Sequence, residues 1–175
     1  MKKKIMLAEL WEYVKMLGIT ILVVLIVTNF LIVNALIPSG SMENTVMTGD
    51  RIIGNRLSYI FEEPKRYDIV IFRYPDDESQ YYIKRIVGLP GETVSIRNGK
   101  VYINESDMPL EDSFIPEVME GSFGPYEVPE GYYFMLGDNR NYSKDSRLWI
   151  NPYVARDKIL GKAVFRYFPS VKIIK

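Results

Sequence analysis

The chain has 175 residues, with 22 basic residues balanced by 22 acidic ones and neither cysteine nor histidine. The balance leaves no global field for nucleic acid, and the missing cysteines exclude disulfides, thiolate zinc sites and thiol catalysis. Without histidine there is no Ser-His-Asp triad and no histidine metal motif, so a hydrolase must draw its base from a carboxylate, a tyrosine or a lysine.

Residues 16–37 carry no charge. As a helix they would run about 33 Å at 1.5 Å per residue, long enough to cross a bilayer. They read as a transmembrane helix, preceded by a short cytoplasmic segment over residues 1–15 with Trp11 and Tyr13 near headgroup level. Lys2, Lys3, Lys4 and Lys15 lie before the span and the stretch after it is nearly neutral. Positive-inside logic then keeps the N-terminus in the cytoplasm and puts residues 38–175 outside, as a single-pass protein of the cell membrane in contact with lipid. A cleaved signal peptide, with Val33-Asn34-Ala35 at the cut, is the alternative, but the run exceeds the 7–15 apolar residues usual for one.

Beyond the span the signals are those of strands. Residues 51–57, 68–74, 80–89, 93–96, 100–105, 132–138 and 161–169 are rich in β-branched and aromatic residues, separated by turn chemistry. Asn98-Gly99 predicts a two-residue hairpin of the primed type. With no long helical pattern after the span, the fold class is all-β, a barrel or folded-over sheet. One helical turn is expected over residues 152–157 with Asn151 as its cap. Residues 101–139 hold acids but no lysine or arginine, which predicts a solvated excursion or small cap over about 104–130. A metal there would have only oxygen ligands, and EF-hand spacing is missing, so no metal and no cofactor is expected.

Three clusters carry chemistry. In Pro38-Ser39-Gly40-Ser41, Pro38 fixes the backbone and Gly40 lets two hydroxyls approach, one to attack and one to support an oxyanion. An exit turn at the membrane would use the same residues. In the strand Tyr82-Ile83-Lys84-Arg85-Ile86, the period of two puts Lys84 beside Tyr82 and Ile86, with Arg85 on the other face. A lysine is a base only when neutral, and burial can lower its pKa by several units. Taken alone, the strand favours an edge lysine that guards against aggregation. The serine pair weighs the other way. The third cluster, residues 137–147, packs two Asp, two Arg, two Asn and two Ser into eleven residues, suited to a solvated tip or to a shell that orients reactive groups.

With these clusters in view, the sequence resembles the bacterial type I signal peptidases, membrane-bound Ser/Lys endopeptidases that remove signal peptides from secreted preproteins. The resemblance rests on PSGSM (38–42), TGD (48–50), YDIVIF (67–72), YIKRIVGLPGE (82–92) and GDNRNYSKDSR (137–147), five segments in order. It implies Ser41 as the nucleophile ahead of Met42, and Lys84 as general base through an acyl-enzyme. Ser39 and the Ser41 amide would form the oxyanion hole. Ser143 would hydrogen-bond the lysine, Asp145 and Arg147 would support it, and Arg85 and Asp138 would pair. The family's usual proline is replaced by Asn44, and a frequent Asp by Glu92. With one anchor the chain resembles the compact form common in Gram-positive bacteria. Its expected partners are signal peptides and membrane lipid, not nucleic acid, and it is expected to act as a monomer. The competing readings are a self-cleaving Ser/Lys protease and a non-catalytic membrane-tethered β-domain that binds extended peptides.

Overall fold

The computed structural model describes residues 2–174. Helix α1 (Lys2–Ile26) passes into a π-helical turn, Val27–Leu31. Its apolar stretch Glu9–Leu31 is 23 residues long, with a mean hydropathy of 2.3 and no buried residue. That is about 34 Å of helix, enough to cross a membrane. The side chains of Lys2, Lys3 and Lys4, on which the expected orientation rests, lie outside the described residues.

The boundary of the apolar run differs from the expected one. Helix covers both the expected lead-in and the first part of the run, while Ile32–Leu36 forms strand β1 rather than the end of a membrane helix. Hydropathy alone cannot separate the two parts, because both are apolar. What separates them is local chemistry and a partner. Thr28 Oγ1 donates to Val24 O at 2.8 Å and Asn29 Nδ2 to Leu25 O at 2.8 Å, side-chain bonds that compete with the helical ladder. Strand β2 (Arg51–Asn55) then pairs antiparallel with β1, from Ile32↔Asn55 to Leu36↔Arg51. The folded domain therefore starts at Ile32 and not at Pro38.

The remaining strands are β3 (Ile69–Tyr74), β4 (Asp77–Gly88), β5 (Thr93–Arg97), β6 (Lys100–Ile103), β7 (Phe123–Glu127), β8 (Tyr132–Leu136), β9 (Tyr153–Ala155), β10 (Ile159–Phe168) and β11 (Lys172–Ile173). One sheet runs β1-β2-β10-β3-β4-β8-β9, with β11 on β10; a second runs β6-β5-β7. The all-β class is as expected. Asn98 (φ 50°) and Gly99 (φ 76°) both have positive φ, and Arg97 pairs with Lys100, the primed two-residue hairpin the sequence predicts.

Two local expectations are corrected. Residues 152–157 are not a helical turn: β9 occupies 153–155 and a single 3-10 turn follows at Arg156–Lys158. Val154 is buried opposite Tyr133 of β8. Asn151 is no cap, because its amide N–H and Nδ2 both donate to Asp76. The acidic excursion also contains β7, whose Gly124 and Pro125 disguise a strand that pairs with β5.

Three apolar clusters fill the interior. One, with Val33, Ile37, Met42, Val46 and Ile71, lies under the serine turn. A second gathers Phe72, Ile86, Met135 and Trp149 between β3, β4 and β8, and the third, with Val94, Ile96 and Phe134, joins the two sheets.

Candidate active site

The serine turn leaves β1 at Ile37 and is fastened on both sides. Ile37 N donates to Asp50 O and Gly49 N to Ile37 O, closing a loop of backbone around residues 38–48. Met42 is fully buried in the first cluster, so the residue after Ser41 acts as an apolar peg that fixes the serine's direction. Ser41 is itself buried, and its Oγ stands 3.5 Å from Ser39 Oγ.

Lys84 reaches the same point from β4. Its Nζ is 2.6 Å from Ser41 Oγ and 3.1 Å from Ile83 O. Only 3% of the residue is exposed. Burial lowers its pKa from the ordinary 10.5 to about 8, and the carboxylates of Asp145 and Asp138 oppose that shift. At pH 7 a pKa of about 8 leaves about one lysine in ten neutral, against fewer than one in 10³ at the ordinary value. The serine and the lysine are 43 residues apart, and the fold makes them a hydrogen-bonded pair.

Residues 137–147 hold this pair in place. Asp138 accepts from Arg85 Nε at 2.8 Å and Nη2 at 2.6 Å, and also from Thr45 Oγ1 at 2.5 Å. The ion pair therefore ties the lysine's strand to the serine turn. Asn139 donates from its amide to Ser41 O at 3.2 Å and from Nδ2 to Gly40 O at 2.9 Å. Asp145, fully buried, accepts from Arg147 Nε at 2.7 Å and Nη2 at 2.8 Å, and from Gly137 N at 3.0 Å. Gly137 has no room for a side chain: a Cβ there would strike Ser143 Oγ and Ser41 O.

Ser39, Ser41, Lys84, Arg85, Asp138, Asp145 and Arg147 thus fall into one connected region. Ser143 is buried there too, but its Oγ has no hydrogen-bond partner among the described residues. The bond from Ser143 to Lys84 that the resemblance implies is not made; Lys84 is instead shared between Ser41 and Ile83 O. Thr45, Asn139 and Arg140 belong to the site as well, although the sequence does not single them out. Asn139 and Arg140 lie inside residues 137–147, and only a partner in space gives them work. Arg140 donates to Gly137 O and pairs with Asp112 of the excursion at 3.0 Å.

A cleft of about 500 Å³ opens beside the pair, lined on one side by residues 34–39 and on the other by residues 80–84, with Tyr142 and Lys144 above. Both walls are strand edges without partners. Among the described residues β1 pairs only with β2, and the part of β4 before Arg85 pairs only with β3, since β8 meets β4 at Arg85, Ile86 and Gly88. No cluster of metal-ligating side chains is found among the described residues.

Residues 10–168 match the family described as signal peptidase, peptidase S26. The chain belongs to that family. Signal peptidase I of Leptolyngbya laminosa is 39% identical over 169 residues, covering 93% of this chain and 81% of that one. Signal peptidase I of Bacillus licheniformis is 34% identical over 175 residues, covering 95% and 93%. Among solved structures, a signal peptidase I from Enterococcus faecalis is 34% identical, with a TM-score of 0.50, over 58% of this chain and 97% of that chain. The membership also disfavours the two competing readings, the self-cleaving protease and the non-catalytic β-domain.

Proposed function

We propose that Ser41 and Lys84 are the catalytic dyad of this membrane serine endopeptidase, which removes signal peptides from preproteins. The observation that carries the assignment is the 2.6 Å approach of a buried lysine to a buried serine hydroxyl in a chain without histidine. Neutral Lys84 takes the proton as Ser41 Oγ attacks the scissile carbonyl. The Ser41 amide and the Ser39 hydroxyl donate to the oxyanion that forms. Collapse returns the proton from Lys84 to the leaving amine, and water then resolves the acyl-enzyme with Lys84 again as base. Arg85, Asp138, Asp145 and Arg147 hold the two reacting strands in register, and Ser143 supplies a buried hydroxyl beside Gly137 that can turn to Lys84 as its charge changes.

The substrate lies as an extended strand between the two unpaired edges, where main-chain bonds accept any sequence and the side walls select. Helix α1 crosses the membrane with the N-terminus in the cytoplasm, and the domain that begins at Ile32 works on the outer face, as a monomer in contact with lipid. Continuity supports this arrangement. The helix runs through its π turn straight into β1, which is a wall of the cleft, so the scissile bond is met a few strand residues above the bilayer.

The test is preprotein cleavage in vesicles. Ser41→Ala and Lys84→Arg should each lose at least about 10³ in rate, because arginine keeps the charge but cannot serve as a base. The wild-type rate should rise with pH along an acid limb centred near 8, since the reactive form is the deprotonated one. An active Lys84→Arg variant, or a rate flat between pH 6 and 9, would remove lysine from the role.

A further inference from the structure

The cleft carries an electrostatic asymmetry that the dyad does not use. Two lysines, Lys84 and Lys144, are among its lining residues, and no acid is. In the reactive state Lys84 is neutral, which leaves Lys144 as the one cation on the described lining. Lys144 makes no ion pair among the described residues. The carboxylates of the β3–β4 hairpin, which carries one wall of the cleft, are already occupied. Asp76 accepts from Tyr74, Ile150 and Asn151, Asp77 from Ser79 and Gln80, and Glu78 holds Lys158.

Lys144 is exposed, but its backbone is fixed. Its neighbours Ser143 and Asp145 are buried, and its carbonyl accepts from Trp149 Nε1 at 3.2 Å. Its ammonium sits 5.9 Å from the ring centre of Tyr74, which stacks on Tyr82 at 4.4 Å. Lys84 Nζ lies 5.5 Å from the Tyr82 ring. The two ammonium groups thus address different rings of one stacked pair. A carboxylate close to Lys84 would hold its proton and slow the reaction; one placed near Lys144 gains attraction without that penalty.

We propose that Lys144 is a specificity-determining residue that favours an acidic side chain at one position of the preprotein ahead of the scissile bond. The inference rests on the cleft being the peptide site described above. A partner carboxylate at an exposed lysine is worth a factor of about two to five in rate constant, and more where the bound peptide excludes water.

The experiment uses the full chain in vesicles and a preprotein carrying Glu, Gln or Lys in turn at each of the second to sixth residues before the cut. The readout is the Glu-to-Lys ratio of kcat/KM within each enzyme, so a general loss of activity cancels. The wild type should show a ratio of about four to twenty at one position, shrinking as salt shortens the screening length. Lys144→Gln should bring that ratio close to one, and Lys144→Glu should invert it. Ratios near one throughout in the wild type, or a preference that survives in Lys144→Glu, would overturn the proposal. No cleavage of any preprotein by the wild type would instead overturn the functional reading on which it rests.

Discussion

Residues 137–147 and residues 104–122 are both polar, acid-containing segments that link strands, yet one is buried and the other is mostly exposed. The first holds Asp138, Arg140 and Asp145 almost wholly inside, and only 4% of the Arg147 side chain is exposed. In the second, Asn104 through Pro109 are all exposed and the acids Glu105, Asp107, Glu111 and Glu120 face solvent. The difference is the sign of the charges. The inner segment mixes acids and bases and has Arg85 opposite, so each of its buried charges finds a partner: Asp138 with Arg85, Asp145 with Arg147 and Arg140 with Asp112. The outer segment has acids only. It touches the body at a few points: Asp112 on Arg140, Phe114 4.6 Å from the Arg85 guanidinium, residues 117–120 hydrogen-bonded to Asn141, and Met119 buried in the third cluster.

The largest expected effect comes from unbalancing the inner segment. Asp138→Ala leaves Arg85 buried without its partner and takes the acceptor from Thr45 as well. Breaking a buried pair from one side costs about 3–5 kcal/mol. A drop of that size in urea-unfolding free energy of the enzyme should accompany a loss of activity. If Asp138→Ala unfolds at the wild-type midpoint, the pair is not what locks the two segments together.

Lys84 is the inner charge that lacks a carboxylate at hydrogen-bond distance, and the opposite sign is expected for it. Its folded pKa of about 8 lies below its ordinary value of 10.5. Between those values the unfolded chain binds more protons, so this residue's contribution to stability rises with pH from about 8 to about 10.5 and is at its least favourable below 8. Lys84→Met should therefore be more stable than the wild type at pH 7, by about 3 kcal/mol at most. The advantage should shrink as the pH passes 8. Denaturation midpoints of both proteins at pH 6, 8 and 10 measure it, and a gap that stays constant with pH would place the lysine in water.

How far the sequence disclosed these regions follows the same division. Strand residues such as 69–74 were legible because β-branched and aromatic side chains repeat there between turn residues. Ser41, Lys84 and the 137–147 segment were recognisable together, through spacing and resemblance. The end of the membrane helix was not, since Ile32–Leu36 is as apolar as the span before it and becomes a strand only because β2 lies alongside. Neither were the contacts of Thr45, Asn139 and Arg140, whose partners are 28 to 99 residues away. Polar pairing at such a distance leaves no periodic trace.

Asn44 offers a smaller test of the serine turn. Its φ of 77° is left-handed, a region that asparagine enters more readily than most residues and proline cannot reach. The proline that the resemblance leads one to expect here would need a different turn after Met42. Asn44→Gly should be neutral within about 0.5 kcal/mol, whereas Asn44→Pro should cost about 1–3 kcal/mol and reduce activity through the neighbouring serine. A fully stable Asn44→Pro enzyme would mean that the turn has a second, right-handed path.

The smallest effects belong to the excursion, and they grade its contacts. Asp107 is exposed and makes no ion pair among the described residues, so Asp107→Asn should lie within about 0.5 kcal/mol of the wild type. Asp112 differs because its partner is buried. Arg140 Nη1 is 3.0 Å from Asp112 Oδ2, the arginine is 3% exposed and the aspartate about a quarter exposed. Asp112→Asn keeps an acceptor oxygen but removes the charge, leaving Arg140 with Gly137 O and a weaker bond. A loss of about 1–2 kcal/mol is expected, less than for Asp138 because water reaches the site from the aspartate's side. Added salt should weaken the wild type toward the variant, since a partly exposed pair is screened. If Asp107→Asn and Asp112→Asn unfold alike at low salt, the Asp112–Arg140 pair adds nothing to stability. The excursion's hold on residues 137–147 would then rest on the Asn141 hydrogen bonds and on buried Met119.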